Sequence, residues 1–463
     1  MNKMTTLSDR IVFEQTLTLI REVAIMKIST LFSVIKPVLN NTLMNQLTVV
    51  TESLLTMTGR ITMLGISRWS DKGGSYRTIQ RFFHSAIPWC SLQWALIQHH
   101  LLDSDDVILL AGDETTVTKS GKATYGLGRF FSSIYNRSIP GLGFFSISLI
   151  SVKREKAYPI LMSQLDPKME RNVNPQKSEK KKRNCSGRPK GSKNKNRRDI
   201  ELTPYLKFIQ DHIKSVQGLV ADKTTPQYFV YDGAFGNNPC LQMVSQCGLD
   251  LISKLNCNSA LYFPFDGEYS GRGPYPKYGE KINYSNLPEH CLVDSSVENK
   301  IRSNIYRAVM WHKDYPQKLN VVIIEKCNLS NGRSARVILF SSDLELTAEK
   351  MIQYYRLRFQ IEFTFRDAKQ HWGLEDFMNV KKQAVHNAAN IAMFMVNVAL
   401  AIGRAADTSL PFSVNDLKSR FHALFYVKNI LKYEPHFGDS HFISQLYEEI
   451  CSIGCIHQPL KTA

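Results

Sequence analysis

The sequence predicts an α/β fold with helical regions before and after it. Three observations carry this. A nearly continuous apolar run from Asp106 ends in the acid Asp113, as a buried strand would. A strand at Gln227–Tyr231, a helix through Cys240–Cys247 and a strand at Asp250–Leu255 alternate as in an α/β unit. Helix-length segments occupy both ends of the chain, with apolar residues every three or four positions at the N-terminal end and scattered aromatics at the other.

At 463 residues the chain exceeds one ordinary core and is expected to hold several domains. A hydrophobic content of 43% with 21% charged residues is globular in character. The formal net charge of +17 points to a polyanion, with nucleic acid the first candidate and an acidic membrane surface the competitor. Against the membrane, the longest apolar run, Ile391–Ile402, is too short to span and contains Asn397. Met1–Arg10 carries Lys3, Asp9 and Arg10 and has no signal-peptide core, so a cytoplasmic, nucleoid-associated protein without a membrane partner is expected. Nine scattered cysteines suit reduced thiols, and Cys451, Cys455 and His457 lack a fourth ligand for structural zinc.

Residues 1–100 read as a helical region, with helices over Thr16–Val34 and Leu43–Thr56. Gly73-Gly74 forms a turn, Ser75 is the expected N-cap, and the next helix carries Arg77 and Arg81 one turn apart, with Arg60, Arg68 and Lys72 nearby. That pattern fits a helix-turn-helix reader of DNA and equally a basic hairpin that only packs. Residues 101–255 hold the first part of the α/β core. Strands at Phe144–Val152 and Tyr158–Met162 follow Asp113, which alternatively caps a turn, and Glu114 points to the opposite face. Residues 177–198 carry eleven Lys or Arg against one Glu and form a basic linker for phosphates. Its Arg188-Pro189-Lys190 resembles the core of an AT-hook, an arm for a narrow minor groove. After a helix over Thr203–Val216, Asp232 ends the Gln227–Tyr231 strand and Gly233 turns the chain.

Residues 256–345 form a β insertion subdomain, rich in Tyr, Gly and Pro to about Lys281, then with strands at Asn304–His312, Leu319–Cys327 and Arg336–Ser341. Residues 346–403 return to the core. Thr347 caps a helix in which Tyr355, Arg358, Glu362 and Lys369 fall on one polar stripe if it runs unbroken, and an apolar helix follows over Asn387–Gly403. Residues 404–463 read as a helical C-terminal region. By itself the stripe suits either a solvated, salt-bridged face or an acid held beside a phosphodiester.

The spacing Tyr355-x2-Arg358-x3-Glu362-x6-Lys369 resembles the Tyr-Arg-Glu-Lys signature of insertion-sequence transposases of the IS-four type, in the DDE superfamily. The resemblance implies a ribonuclease-H-like core, interrupted by the β insertion, in which Asp113, Asp232 and Glu362 bind two magnesium ions, with manganese able to substitute. It implies that Tyr355, Arg358 and Lys369 clamp DNA phosphates, that Trp311, by its type equally a core residue, stacks on a displaced base, and that the N-terminal helices bind transposon ends. Double-stranded DNA, as both element ends and target, and a homodimer on DNA are the implied partners, with nicking, a hairpin intermediate and strand transfer as the events. Two alternatives stand beside it: a metal-dependent nuclease or domesticated transposase that cuts without inserting, and a non-catalytic DNA-binding protein.

Overall fold

Thr115, Thr116 and Val117 are β-branched and keep the backbone extended past the first acid, so β1 (Ile108–Thr118) does not stop where its apolar run stops. Asp113 therefore lies within the strand, opposite Ser146 of β3 (Arg137–Ser151), and not at its end. The computed structural model describes residues 28–70, 73–132, 136–169, 197–198, 200–269, 271, 273–406, 411–431, 447 and 450. Most of the expected Thr16–Val34 helix, Lys72, the basic linker with Arg188 and Lys190 up to residue 196, and Cys451, Cys455 and His457 lie outside them.

β2 (Gly128–Ser132) pairs with the first part of β3, and β4 (Lys156–Gln164) with the second. β1 is antiparallel to β3 and parallel to the short β5 (Tyr228–Val230), which in turn runs parallel to β6 (Asp250–Leu255). The order β4-β3-β1-β5-β6 gives three antiparallel strands followed by two parallel ones. This mixed α/β arrangement is consistent with a DDE or ribonuclease-H-like nuclease fold. The sheet does not end there. β12 (Ser334–Ser341) pairs antiparallel with β6, and β11 (Lys318–Asn328), β10 (Ile301–His312), β7 (Leu261–Pro264) and β8 (Tyr278–Lys281) continue it, with β9 (Leu292–Glu298) on the flank of β10. The short strands β7, β8 and β9 escaped the sequence reading because Gly, Pro and polar residues interrupt their period-two pattern.

Helices form where caps and apolar spacing agree. Asn40 accepts from Leu43 N at the start of α1 (Asn41–Thr56), and Thr62 accepts from Gly65 N at α2 (Met63–Trp69). Ser75 caps α3 (Tyr76–His84) as expected, and α4 (Trp89–His100) follows. Thr203 caps α5 (Pro204–Val220), with Pro204 in the first turn where its missing N–H is harmless, and Asn237 caps α6 (Asn238–Ser245). α5 lies on the face of the sheet that bears Glu114: Glu114 pairs with Phe145, whose ring meets Phe208 at 6.1 Å, and Tyr205 Oη–H donates to Glu114 Oε1 at 2.6 Å.

The expected single helix from Thr347 to Trp372 is two. α7 (Ala348–Leu357) lies against β6 and β12, and α8 (Gln360–His371) against β1 and β4. Between them Phe359 N donates to Arg356 O, Ile361 N to Arg358 O and Glu362 N to Phe359 O, each a bond of the tighter i to i−3 type. A straight helix of that length cannot follow a sheet whose strands rotate by roughly 20° each, and the break lets each half lie flat on its own strands.

α9 (Lys382–Ala405) is long and apolar enough to cross a membrane, yet 89% of that stretch is buried inside the protein, so the buried-helix reading of Ile391–Ile402 holds. Its asparagines join the layers. Asn387 Nδ2 donates to Phe83 O at 2.9 Å and Ser85 O at 2.8 Å, and its Oδ1 accepts from Trp89 Nε1 at 2.9 Å. Asn397 Nδ2 reaches Gln93 Oε1 and Pro159 O at 2.6 and 2.8 Å. α10 (Val414–Leu431) closes the described chain against α1. Replacing Asn387 with alanine would strand the Trp89 N–H and two carbonyls in the interior. A loss of about 2–4 kcal/mol is expected on urea unfolding. A change below about 0.5 kcal/mol, the range of ordinary surface substitutions, would show that water replaces the amide there.

Candidate active site

Register places the first two acids. Ala111 of β1 pairs with Val230, the last residue of β5, so Asp113, two residues further along β1, stands beside Asp232, two residues past the end of β5. Asp113 is held by its own strand, its Oδ1 accepting from Glu114 N at 2.8 Å. Asp232 leaves β5 in an extended conformation and caps the turn Gly233–Phe235, its Oδ1 accepting from Ala234 N at 3.0 Å. Ser253 Oγ donates to Asp232 O at 2.6 Å and ties that turn to β6.

The break between α7 and α8 supplies the rest. Arg358, at the break, sends Nη1 to Asp113 Oδ2 at 3.1 Å and Nη2 to Glu362 Oε1 at 3.0 Å. Its side chain is only 13% exposed, and its Nε is buried with no hydrogen-bond partner among the described residues. The guanidinium thus bridges the strand acid and the helix acid. Burial pushes the Asp113 carboxyl up to about 6; Arg358 opposes the rise, while Asp232 and Glu362 add to it by repulsion. Asp113 therefore lies within electrostatic reach of both Asp232 and Glu362. Burial raises the Tyr355 phenol as well, with Arg358 beside it lowering and the Asp232 charge raising it. Tyr355, Arg358 and Glu362 come together near Asp113 and Asp232 through the break between the two helices, not as a stripe on one unbroken helix.

Lys369 behaves differently. Its Nζ donates to Thr116 O at 3.1 Å and meets Glu375 Oε1 at 3.1 Å, which fastens α8 to β1. Lys119, which the sequence reading overlooked, holds the next loop: its Nζ donates to Glu375 O at 2.9 Å and Phe377 O at 2.7 Å and lies over the Phe377 ring. Trp311, on β10, is five strands from β1, roughly 24 Å across the sheet, so the structure does not bring it to the acids. Its half-buried ring meets Tyr278 edge-on at 6.1 Å, with Lys277 Nζ 5.7 Å from its centre. Arg77 and Arg81 are exposed along α3 with Tyr76, Gln80 and His84, behind the turn at Gly73 (φ 96°), a conformation that suits glycine.

Among the described residues, no three His, Cys, Asp or Glu side chains are gathered closely enough to hold a metal ion as they stand. The guanidinium fills the gap instead. The donor set itself suits a hard divalent cation: it is all carboxylate oxygen, and the mutual repulsion felt at Asp113 is what such a cation relieves. The donor chemistry fits the ion, and Arg358 bonds to two of the three carboxylates.

The raised Asp113 pKa has a sign. A carboxyl titrating at about 6 in the folded protein and about 4 unfolded binds more protons folded between those values, so it favours the folded state at low pH. That contribution is present in full below about pH 4 and is lost as pH rises through about 6. Metal-free protein is therefore expected to gain stability relative to Asp113→Asn on going from about pH 7 to 5, by about 1.4 kcal/mol per unit within the window. Parallel urea-unfolding profiles for the two proteins would refute this.

The sequence pattern of the family described as DDE superfamily endonuclease matches residues 34–318, more than half of the chain. The match includes Asp113 and Asp232 and stops before Glu362. No curated protein matches the sequence.

Proposed function

Because the chain belongs to the DDE superfamily endonucleases, we propose that it is the transposase of a bacterial insertion sequence of the IS-four type, acting on double-stranded DNA. The Arg358 guanidinium held between Asp113 and Glu362, with Asp232 beside them, carries this reading. It supports the assignment of Tyr355, Arg358, Glu362 and Lys369 to the Tyr-Arg-Glu-Lys signature and of the three acids to the catalytic set.

Asp113, Asp232 and Glu362 would hold the divalent ions, magnesium or manganese, which when bound activate a water or a 3′-hydroxyl and take up charge on the leaving oxygen. The protein's own part is positioning. β1 and α8 present Asp113 and Glu362, and the capped turn that follows β5 presents Asp232. Arg358, released from them, is a planar bidentate donor at the right place to take the oxygens of a phosphodiester. Tyr355 adds a phenolic O–H donor that stays protonated at neutral pH. Lys369 keeps α8 against β1, so that Glu362 cannot drift from Asp113. The exposed cations of α3 suit the duplex backbone at the element's inverted repeats, and strands β7–β12 would be the family's insertion in the core. A homodimer on DNA, in the bacterial nucleoid, follows from the same reading.

The test is incubation of the protein with duplexes taken from the DNA bordering its own reading frame, in magnesium, in manganese and in EDTA, beside a target plasmid. Strand cleavage only with metal, and joining of the cut ends to the plasmid, are expected. Cleavage without joining would replace transposition by a nuclease, and binding without cleavage by a DNA-binding protein.

A further inference from the structure

We infer that Lys254 is a phosphate-holding residue of this site, gripping the DNA backbone on the Asp232 side of the bond to be cut. The inference rests on the reading of the site as one that cuts DNA, and it adds a residue outside the four-residue signature.

Its ground is the register of three adjacent strands. Ala111, Val230 and Ile252 are paired in a row across β1, β5 and β6. All three strands are parallel to one another, so the row two residues further on is Asp113, Asp232 and Lys254. Paired residues of parallel strands point to the same face, and the face is identified from β5: Tyr228, paired with Asp250, packs its ring on Tyr354 of α7 at 5.5 Å. Residues 250, 252 and 254 therefore look toward α7 and α8, where Arg358 and Glu362 are.

β5 ends at Val230, so Lys254 stands beside the turn that Asp232 caps, with no strand in between. That turn is pressed on it. A Cβ added at Gly233 would come within 3.3 Å of Lys254 Cε, and one added at Gly236 within 2.3 Å of Lys254 O. The lysine stem thus lies along Gly233, and the absence of a side chain at Gly236 is what allows the approach.

Charge completes the case. Arg358 is engaged by two carboxylates, and Lys369 by Glu375 and the Thr116 carbonyl. Lys254 is exposed and makes no ion pair among the described residues. Three acids repel a phosphodiester, and an uncommitted ammonium beside the outermost of them offsets this without competing for their oxygens. Lysine suits the task, as a point charge on a flexible stem.

The experiment measures binding of the bordering duplex in EDTA over a range of salt, for the wild type, Lys254→Gln, Lys254→Arg and the control Lys207→Gln, an exposed lysine on α5 at the other face. Lys254→Gln is expected to bind about five- to tenfold more weakly at moderate salt and to lose about one unit from the slope of log K against log salt, as for one phosphate contact. Arginine should restore both, and Lys207→Gln should change neither. A duplex with single phosphates replaced by neutral methylphosphonate gives the second readout: one position beside the cut should weaken the wild type and leave Lys254→Gln unaffected. Wild-type affinity and slope in Lys254→Gln overturn the inference even if the wild type cuts with metal. A wild type that neither prefers that duplex nor cuts it defeats the parent reading instead.

Discussion

Asp113→Asn and Glu362→Gln are each expected to reduce metal-dependent cleavage at least about a thousandfold while DNA binding persists. Each substitution keeps the shape of the side chain and removes a charged oxygen ligand. Losing one ligand of a site that stabilises transition-state charge by several kcal/mol corresponds to a change of that order. The two variants differ in metal-free stability. Asparagine at 113 still accepts from Glu114 N, and removing a buried carboxyl whose ionisation is unfavourable at neutral pH offsets the loss of one charged partner of Arg358, so little net change in stability is expected. Glutamine at 362 takes one partner from Arg358, on a side chain that is 42% exposed, and a small loss is expected. Single-turnover cleavage of an end-labelled duplex, with binding followed separately, decides the matter. Full cleavage by Glu362→Gln would reduce Glu362 to an i,i+4 helix partner of Arg358.

Arg358→Ala should be costly in a way that metal repairs. In the metal-free protein it leaves Asp113 and Glu362 without their shared cation. Breaking a fully buried pair costs about 3–5 kcal/mol, and the partial exposure of Glu362 reduces the expectation here to about 2 kcal/mol. A divalent ion restores the missing positive charge. If the proposed ion and the guanidinium share the acids, magnesium is expected to stabilise Arg358→Ala more than the wild type. Urea unfolding with EDTA and with magnesium measures both. An equal loss under the two conditions would mean that Arg358 and the ion do not share a place. Cleavage by the variant should remain low even with metal, since the bidentate phosphate donor is gone.

The sequence by itself determined whatever is settled within a few residues. Ser75, Thr203 and Thr347 cap their helices because a side-chain oxygen reaches the N–H three residues on, which needs no distant partner. β6 keeps its expected bounds, Asp250–Leu255, because an apolar run between turns leaves little choice, and Asp232-Gly233 turns where it was expected to. The polar stripe Tyr355, Arg358, Glu362 and Lys369 was legible through residue types and spacing, and the resemblance it carries pointed to Asp113 and Asp232.

Tertiary structure decided the rest. The continuation of β1 past Asp113 depends on β3, a strand more than twenty residues away that offers partners as far as Gly141. The division of the long helix at Arg358–Phe359 depends on the twist of the sheet beneath it, which no pattern within the helix records. That division is also what turns Arg358 into a bridge between Asp113 and Glu362. Lys254 was invisible in sequence because its neighbourhood is made by strand register, and register joins residues more than a hundred positions apart. Residue types and spacing pointed to the acids; the helix break and the pairing of strands chose which cations stand beside them.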